Sequence, residues 1–127
     1  NNVVHSFEFN AKTGLCGERK KYCDFDRKNM GGVDGAAVDE RGGYWAALYG
    51  GSSLIRVSEN GELDTAIPLP VSQPTMPVFG GREMKTIFLT SSRKGLSNKE
   101  LQAQPLAGTL LSIPVDVRGH KVYSFGG

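Results

Sequence analysis

In the stretch GGVDGAAVDERGGYWAALYGG, residues 31–51, the carboxylates differ in what local structure asks of them. Asp39 and Glu40 precede Arg-Gly-Gly and suit a tight turn. Asp34 stands between glycines just ahead of an apolar strand, and strand formation has no use for it there. A carboxylate so placed has two kinds of work open to it. Its oxygens can cap a turn by accepting backbone N–H groups. Otherwise they can take a proton from water or hold a hard cation.

The other reactive residues lack a constellation. Asp24 and Asp26 flank Phe25, a spacing that puts both on one solvated face of a strand. His5 and His120 are far apart and have no partner pattern, so both are expected at the surface. Ser52-Ser53 and Ser91-Ser92 lack the G-x-S-x-G elbow that exposes a nucleophile. The glycine pairs at 31–32, 42–43, 50–51 and 80–81 do not fit a phosphate loop, which needs a following Lys and hydroxyl. Cys16 and Cys23 are the only cysteines. Without a histidine cluster they make a poor zinc site, and free thiols in a reducing cytosol are expected rather than a hairpin disulfide. A cytoplasmic location follows as the expectation.

The elements that must position Asp34 are short and regularly punctuated. The chain has 127 residues, of which 17 are Gly and 6 Pro, with apolar residues spread throughout at 39%. That mixture suits one all-β domain of strands and tight turns. Strands are read at 3–9, 18–25, 35–39, 44–49, 54–58 and 63–70. YWAALY (44–49) is apolar at every position and is expected to be buried on both faces. The prolines of 63–70 mark an edge strand. The pattern then restarts at TMPVFG (75–80), KTIFLTS (85–91), GTLLSIPV (108–115) and HKVYSF (120–125). Trp45 and Phe88, 43 residues apart, occupy matching positions and are both expected in the core. That interval is the period of a four-stranded propeller blade, about 40–50 residues. GLSNKELQAQPLAG (95–108) interrupts the repeat, and its Ser97 and Glu100 form a capping box for a short helix ended at Pro105. Such insertions lie as loops on one face, and with Tyr49 this one is expected at the channel mouth.

About two and a half blades result, where closed propellers typically have about 4–8. An open arc leaves apolar faces that need a neighbour. The missing blades are therefore expected from a longer chain or from self-association, and the strand-like start NNVVHSFEF favours the longer chain. A net charge of +2, with no basic stripe interleaved with aromatics, gives no support for a nucleic-acid partner. The densest basic run, Glu18-Arg19-Lys20-Lys21, reads as a solvated face. No apolar run is long enough for a membrane helix.

The spaced motifs VDG (33–35), AVDERGGYWAA (37–47), IRVSENGE (55–62), the P-x-P at 68–70 and PT…FGG (74–81) resemble the SMP-30/gluconolactonase/regucalcin family, in the family's order. LSNKELQAQPLAGTLLSI (96–113) is similar to that family's last-blade insertion. The resemblance covers nearly all of 1–127 and implies the C-terminal part of a six-bladed propeller. It implies a divalent metal on the axis (Ca²⁺, Zn²⁺, Mg²⁺ or Mn²⁺) and hydrolysis of a sugar lactone. The family's metal site uses a Glu near the propeller's start, a central Asn and the Asp of P-D-G. Only the last maps here, onto Asp34, with Val33 in place of the proline. Asp34 is thereby expected as metal ligand and catalytic base, pointing into the channel, with Gly32 and Gly35 letting the backbone pass close by. The substrate-contacting residues would lie in blades outside this sequence. Two other readings stay open: a non-catalytic propeller serving as scaffold or binding module, and a related propeller of the luciferin-regenerating or strictosidine-synthase type.

Overall fold

The computed structural model describes residues 2–120. Three antiparallel sheets follow one another along the chain. A hairpin of β1 (Asn2–Asn10) and β2 (Leu15–Phe25) comes first. A one-turn helix α1 (Arg27–Met30) leads into a four-stranded sheet of β3 (Gly32–Val38), β4 (Tyr44–Tyr49), β5 (Ser53–Val57) and β6 (Leu63–Pro68), in chain order. The third sheet holds β7 (Pro74–Gly80), β8 (Thr86–Ser91) and β9 (Leu110–Pro114), with α2 (Asn98–Ala103) inserted between β8 and β9. The strand expected at 120–125 lies, beyond His120, outside the described residues.

β4 holds the sheets together because both of its faces are apolar. Trp45 and Ala47 pack with Leu54 against Phe79, Ile87 and Leu89 of the third sheet. Ala46 and Leu48 pack with Ile55 and Val57 against Cys23, Val4 and Tyr22 of the hairpin. Side chains alternate across a strand, so one apolar strand serves two interfaces. The Trp45 and Phe79 rings meet edge to face at 6.1 Å and 85°. β6 is an edge strand, as its prolines require.

The repeat is visible in the register. β3 slips against β4 between Val33 and Ala36, so that Asp34 and Gly35 together oppose Ala47. β7 slips against β8 between Pro74 and Pro77, so that Thr75 and Met76 together oppose Thr90. Each innermost strand thus carries one β-bulge at the same place, and Thr75 is the counterpart of Asp34. Trp45 and Phe88 are counterparts too, yet their burial differs. Trp45 is 3% exposed beneath the third sheet, whereas Phe88 is half-buried. Phe88 faces away from Ile87 and Leu89, toward a side that no described sheet covers, and this corrects its expected place in the core.

Both ends of the arc are apolar. Val78 and Leu110 join Phe88 on the outer face of the third sheet, and Phe7, Phe9 and Leu15 are exposed on the hairpin. Such faces drive association in water. Residues 1–127 expressed alone are therefore expected to sediment as a multimer or aggregate. A stable monomer in sedimentation velocity would show that the two faces need no partner.

One other expectation is corrected. β2 stops at Phe25, so Asp24 and Asp26 do not share a strand face. Asp24 pairs with Lys21 in solvent, and Asp26 is the N-cap of α1, accepting from the Lys28 N–H at 3.0 Å. Cys16 and Cys23 lie on the same strand opposite Phe9 and Val4, and both are free. Burial pushes the Cys23 thiol up, which keeps it protonated and unreactive. His5 and His120 are exposed, as is the run 18–21.

Candidate active site

The antiparallel order puts the start of β3, the end of β4, the start of β5 and the end of β6 at one end of their sheet. The loops at that end are stitched together. Gly50 N–H donates to Ser72 O at 2.8 Å, and Ser92 N–H donates to Gln73 O at 2.9 Å. Gln104, which closes α2, accepts the Ser72 N–H on its side chain at 2.7 Å. The inserted helix, with the expected capping box of Ser97 and Glu100, thus sits at the end where β3 begins.

Asp34 lies at that end, exposed, on the bulge. Its carboxylate caps no turn and joins no ion pair among the described residues; capping falls to Asp26 and Asp39. The sequence therefore spends a charged residue there without a local structural return. Gly35 explains the second half of the motif. A Cβ at Gly35 would sit 2.6 Å from Thr75 O and 2.9 Å from Met76 Cα, so only glycine lets β3 and β7 approach. Gly32 has no such role, because a Cβ there would meet nothing closer than 3.7 Å. Close passage at the head of the strand belongs instead to Gly31, whose φ is +85° and whose Cβ would lie 2.7 Å from Tyr49 O. Val33 is half-buried and packs on the hairpin interface.

Asp34 opens into a cleft of about 590 Å³ lined by Asn2, Arg27, Lys28, Asn29 and Tyr49 as well as the 31–33 backbone. Tyr49 lines this cleft beside Asp34. The inserted loop does not line this cleft but braces the loops behind it. Asn2, Arg27, Lys28 and Asn29 have no signal in the sequence, because the short helix that brings 27–29 to the cleft has no periodicity to read. Asn2 is 8% exposed and its amide donates to Gly31 O, tying the hairpin to the head of β3.

The donor set fits one corner of an oxygen-ligated cation and no more. Asp34 offers a free, exposed carboxylate at an open cleft. Among the described residues no three of His, Cys, Asp and Glu gather at one place. A divalent ion takes at least about four ligands, and Ca²⁺ about 6–8.

Asp39 proves to be more than a turn residue. It is fully buried and accepts five hydrogen bonds: Arg41 N–H (2.9 Å), Gly43 N–H (2.9 Å), Trp45 Nε1–H (2.8 Å), and Arg56 Nε–H (2.7 Å) and Nη2–H (3.2 Å). Burial alone would raise its pKa, but these donors together outweigh that and hold the carboxyl below its usual range. Asp39 lies at the far end of β3 from Asp34 and fixes the fold rather than the cleft.

The sequence profile of the SMP-30/gluconolactonase/LRE-like region matches residues 1–93. A 6-deoxy-6-sulfogluconolactonase of Pseudomonas putida is 37% identical over 94% of this chain and 40% of its own. Regucalcin of Gallus gallus is 31% identical over 98% of this chain and 42% of its own. The solved structure of a calcium-binding protein, regucalcin from Agrobacterium tumefaciens, superposes with a TM-score of 0.86 at 28% identity, covering 94% of this chain and 40% of that one. The chain thus spans about two fifths of the length of these relatives.

Proposed function

Because the chain belongs to the SMP-30/gluconolactonase/LRE-like family, we propose that it is the C-terminal part of a six-bladed, divalent-metal-dependent hydrolase of sugar lactones. The observation that carries this reading is the free carboxylate of Asp34, held at a cleft on a β-bulge and used by no described hydrogen bond or ion pair. The lactonase among the relatives and the calcium-binding protein among the solved structures support substrate class and metal class respectively.

When bound, a divalent cation supplies Lewis-acid polarisation of an ester carbonyl. Asp34 would hold it, with the remaining ligands on residues outside this segment. Asp34 also takes the proton of the attacking water. The water oxygen bonds to the lactone carbonyl carbon, the acyl–oxygen bond of the ring breaks, and the ring oxygen leaves as a hydroxyl with a proton, giving the aldonic acid. Tyr49 and Asn29 on the cleft wall offer polar groups to sugar hydroxyls.

The test is metal removal from a complete propeller that carries residues 1–127. Dialysis against EDTA is expected to abolish hydrolysis of glucono-1,5-lactone, and Ca²⁺, Zn²⁺, Mg²⁺ or Mn²⁺ is expected to restore it. Turnover that survives exhaustive chelation rules out the metal-dependent reading. A complete propeller with no lactone turnover under any of these metals overturns the lactonase reading.

A further inference from the structure

The cleft beside Asp34 is not electrically balanced. Arg27 and Lys28 line it with Asp34, two cations to one carboxylate. Arg27 is laid along the strand that carries Asp34, its Nε and Nη2 being 3.7 and 3.8 Å from where a Cβ on Gly32 would stand. Neither cation has an ion-pair partner among the described residues, whereas Lys20, Lys21 and Arg56 all do. The nearest acid in sequence, Asp26, forms no ion pair with either and does not line the cleft; its carboxylate accepts from the Lys28 N–H and the Asn29 amide. Once Asp34 is committed to a cation, as the lactonase reading above requires, nothing described in the cleft offsets the positive charge. The volume, about 590 Å³, is in the range of small-ligand sites, about 300–1,000 Å³.

Resting on that reading, we propose that this cleft selects a lactone bearing a second, anionic group remote from the ester, with Arg27 as its ligand and Lys28 adding charge. The planar fork of Arg27 matches the paired oxygens of a phosphate, sulfonate or carboxylate. A neutral sugar lactone leaves both cations without a partner. A charge-assisted hydrogen bond is worth roughly 1.5–3 kcal/mol, which corresponds to about a 10–100-fold preference.

Two measurements on a complete propeller carrying this segment decide it. The first compares kcat/KM for glucono-1,5-lactone with that for its 6-phosphate and 6-deoxy-6-sulfo counterparts, for the parent and for Arg27→Gln. An anionic lactone is expected to be favoured about 10–100-fold, with that ratio falling toward one in Arg27→Gln through KM for the anionic lactone. The preference should shrink with added salt. Equal use of neutral and anionic lactones, or an equal loss for both in Arg27→Gln, overturns the proposal. The second measurement is calorimetric binding of 1,5-anhydroglucitol and its 6-phosphate, which needs no turnover. Tighter binding of the 6-phosphate that depends on Arg27 upholds the anion site even where no lactone is hydrolysed, so that only the lactonase reading falls. Equal binding of the two ligands sinks the anion site whatever the lactone assay shows. A preference for phosphate over sulfonate, or the reverse, identifies the anion.

Discussion

Asp34→Asn in a complete propeller carrying this segment is expected to lower kcat/KM for lactone hydrolysis by about 10²–10⁴-fold, the size of a lost general base. The substitution keeps the side chain's shape and removes its charge and basicity. Divalent-cation affinity should fall with it, since a neutral amide is a poorer ligand than a carboxylate. Thermal stability should stay within about 0.5 kcal/mol of the parent, because Asp34 is exposed and makes no described hydrogen bond that folding would lose. The combination is what separates function from architecture. A carboxylate that merely capped a turn would leave turnover unchanged in Asp34→Asn, and Asp34→Ala would then cost about 1 kcal/mol of stability. The measurements are steady-state kinetics, a metal titration and a thermal melt on the same two proteins. Unchanged turnover with normal metal affinity would remove Asp34 from the site.

How much of this could be read beforehand divides along physical lines. Strands announced themselves where burial is one-sided or complete. YWAALY is apolar throughout because β4 faces two sheets, and the 43-residue spacing of Trp45 and Phe88 survives in the register as matching positions, each two residues before the residue that faces a bulge. The capping box at Ser97 was legible because it is a local motif whose partners are three residues apart. Burial of Phe88 was not legible, since equal positions in a repeat are buried equally only when each has a neighbour. The cleft was half legible. Asp34 and Tyr49 stood out by misfit and by topology, whereas Asn2 and Arg27 reach the cleft through a hairpin return and a one-turn helix that leave no periodic trace. Asp39 shows the opposite failure. Its local chemistry, an aspartate before Arg-Gly-Gly, was sufficient to place a turn. Nothing local announced that Arg56 and Trp45 would converge on the same carboxylate from two neighbouring strands.

That convergence carries a large expected effect on stability. Asp39→Asn is expected to destabilise the fold by about 3–5 kcal/mol, the cost of breaking an ion pair whose carboxylate is fully buried. The amide cannot substitute, because both carboxylate oxygens are in use. One oxygen accepts from Arg41, Gly43 and Arg56 Nη2, the other from Trp45 and Arg56 Nε. Whichever side the new NH₂ takes, it meets N–H donors in a site closed to water, and Trp45, which sits in the inter-sheet core, is disturbed with it. Arg56 retains Asp64 through Nη1 at 2.7 Å, but Asp64 is half-exposed and compensates only in part. The pH dependence has a definite sign. The Asp39 carboxyl is held below its ordinary value in the folded chain, so its contribution is complete above the unfolded value, about 3.9, and drains away as pH falls through the lowered one. The gap in melting temperature between parent and Asp39→Asn should therefore be widest near neutrality and narrow below about pH 4. Melts at a series of pH values test this directly. A gap that stays constant into strong acid would mean that the carboxylate's charge contributes nothing, and that the loss at neutral pH is one of shape alone.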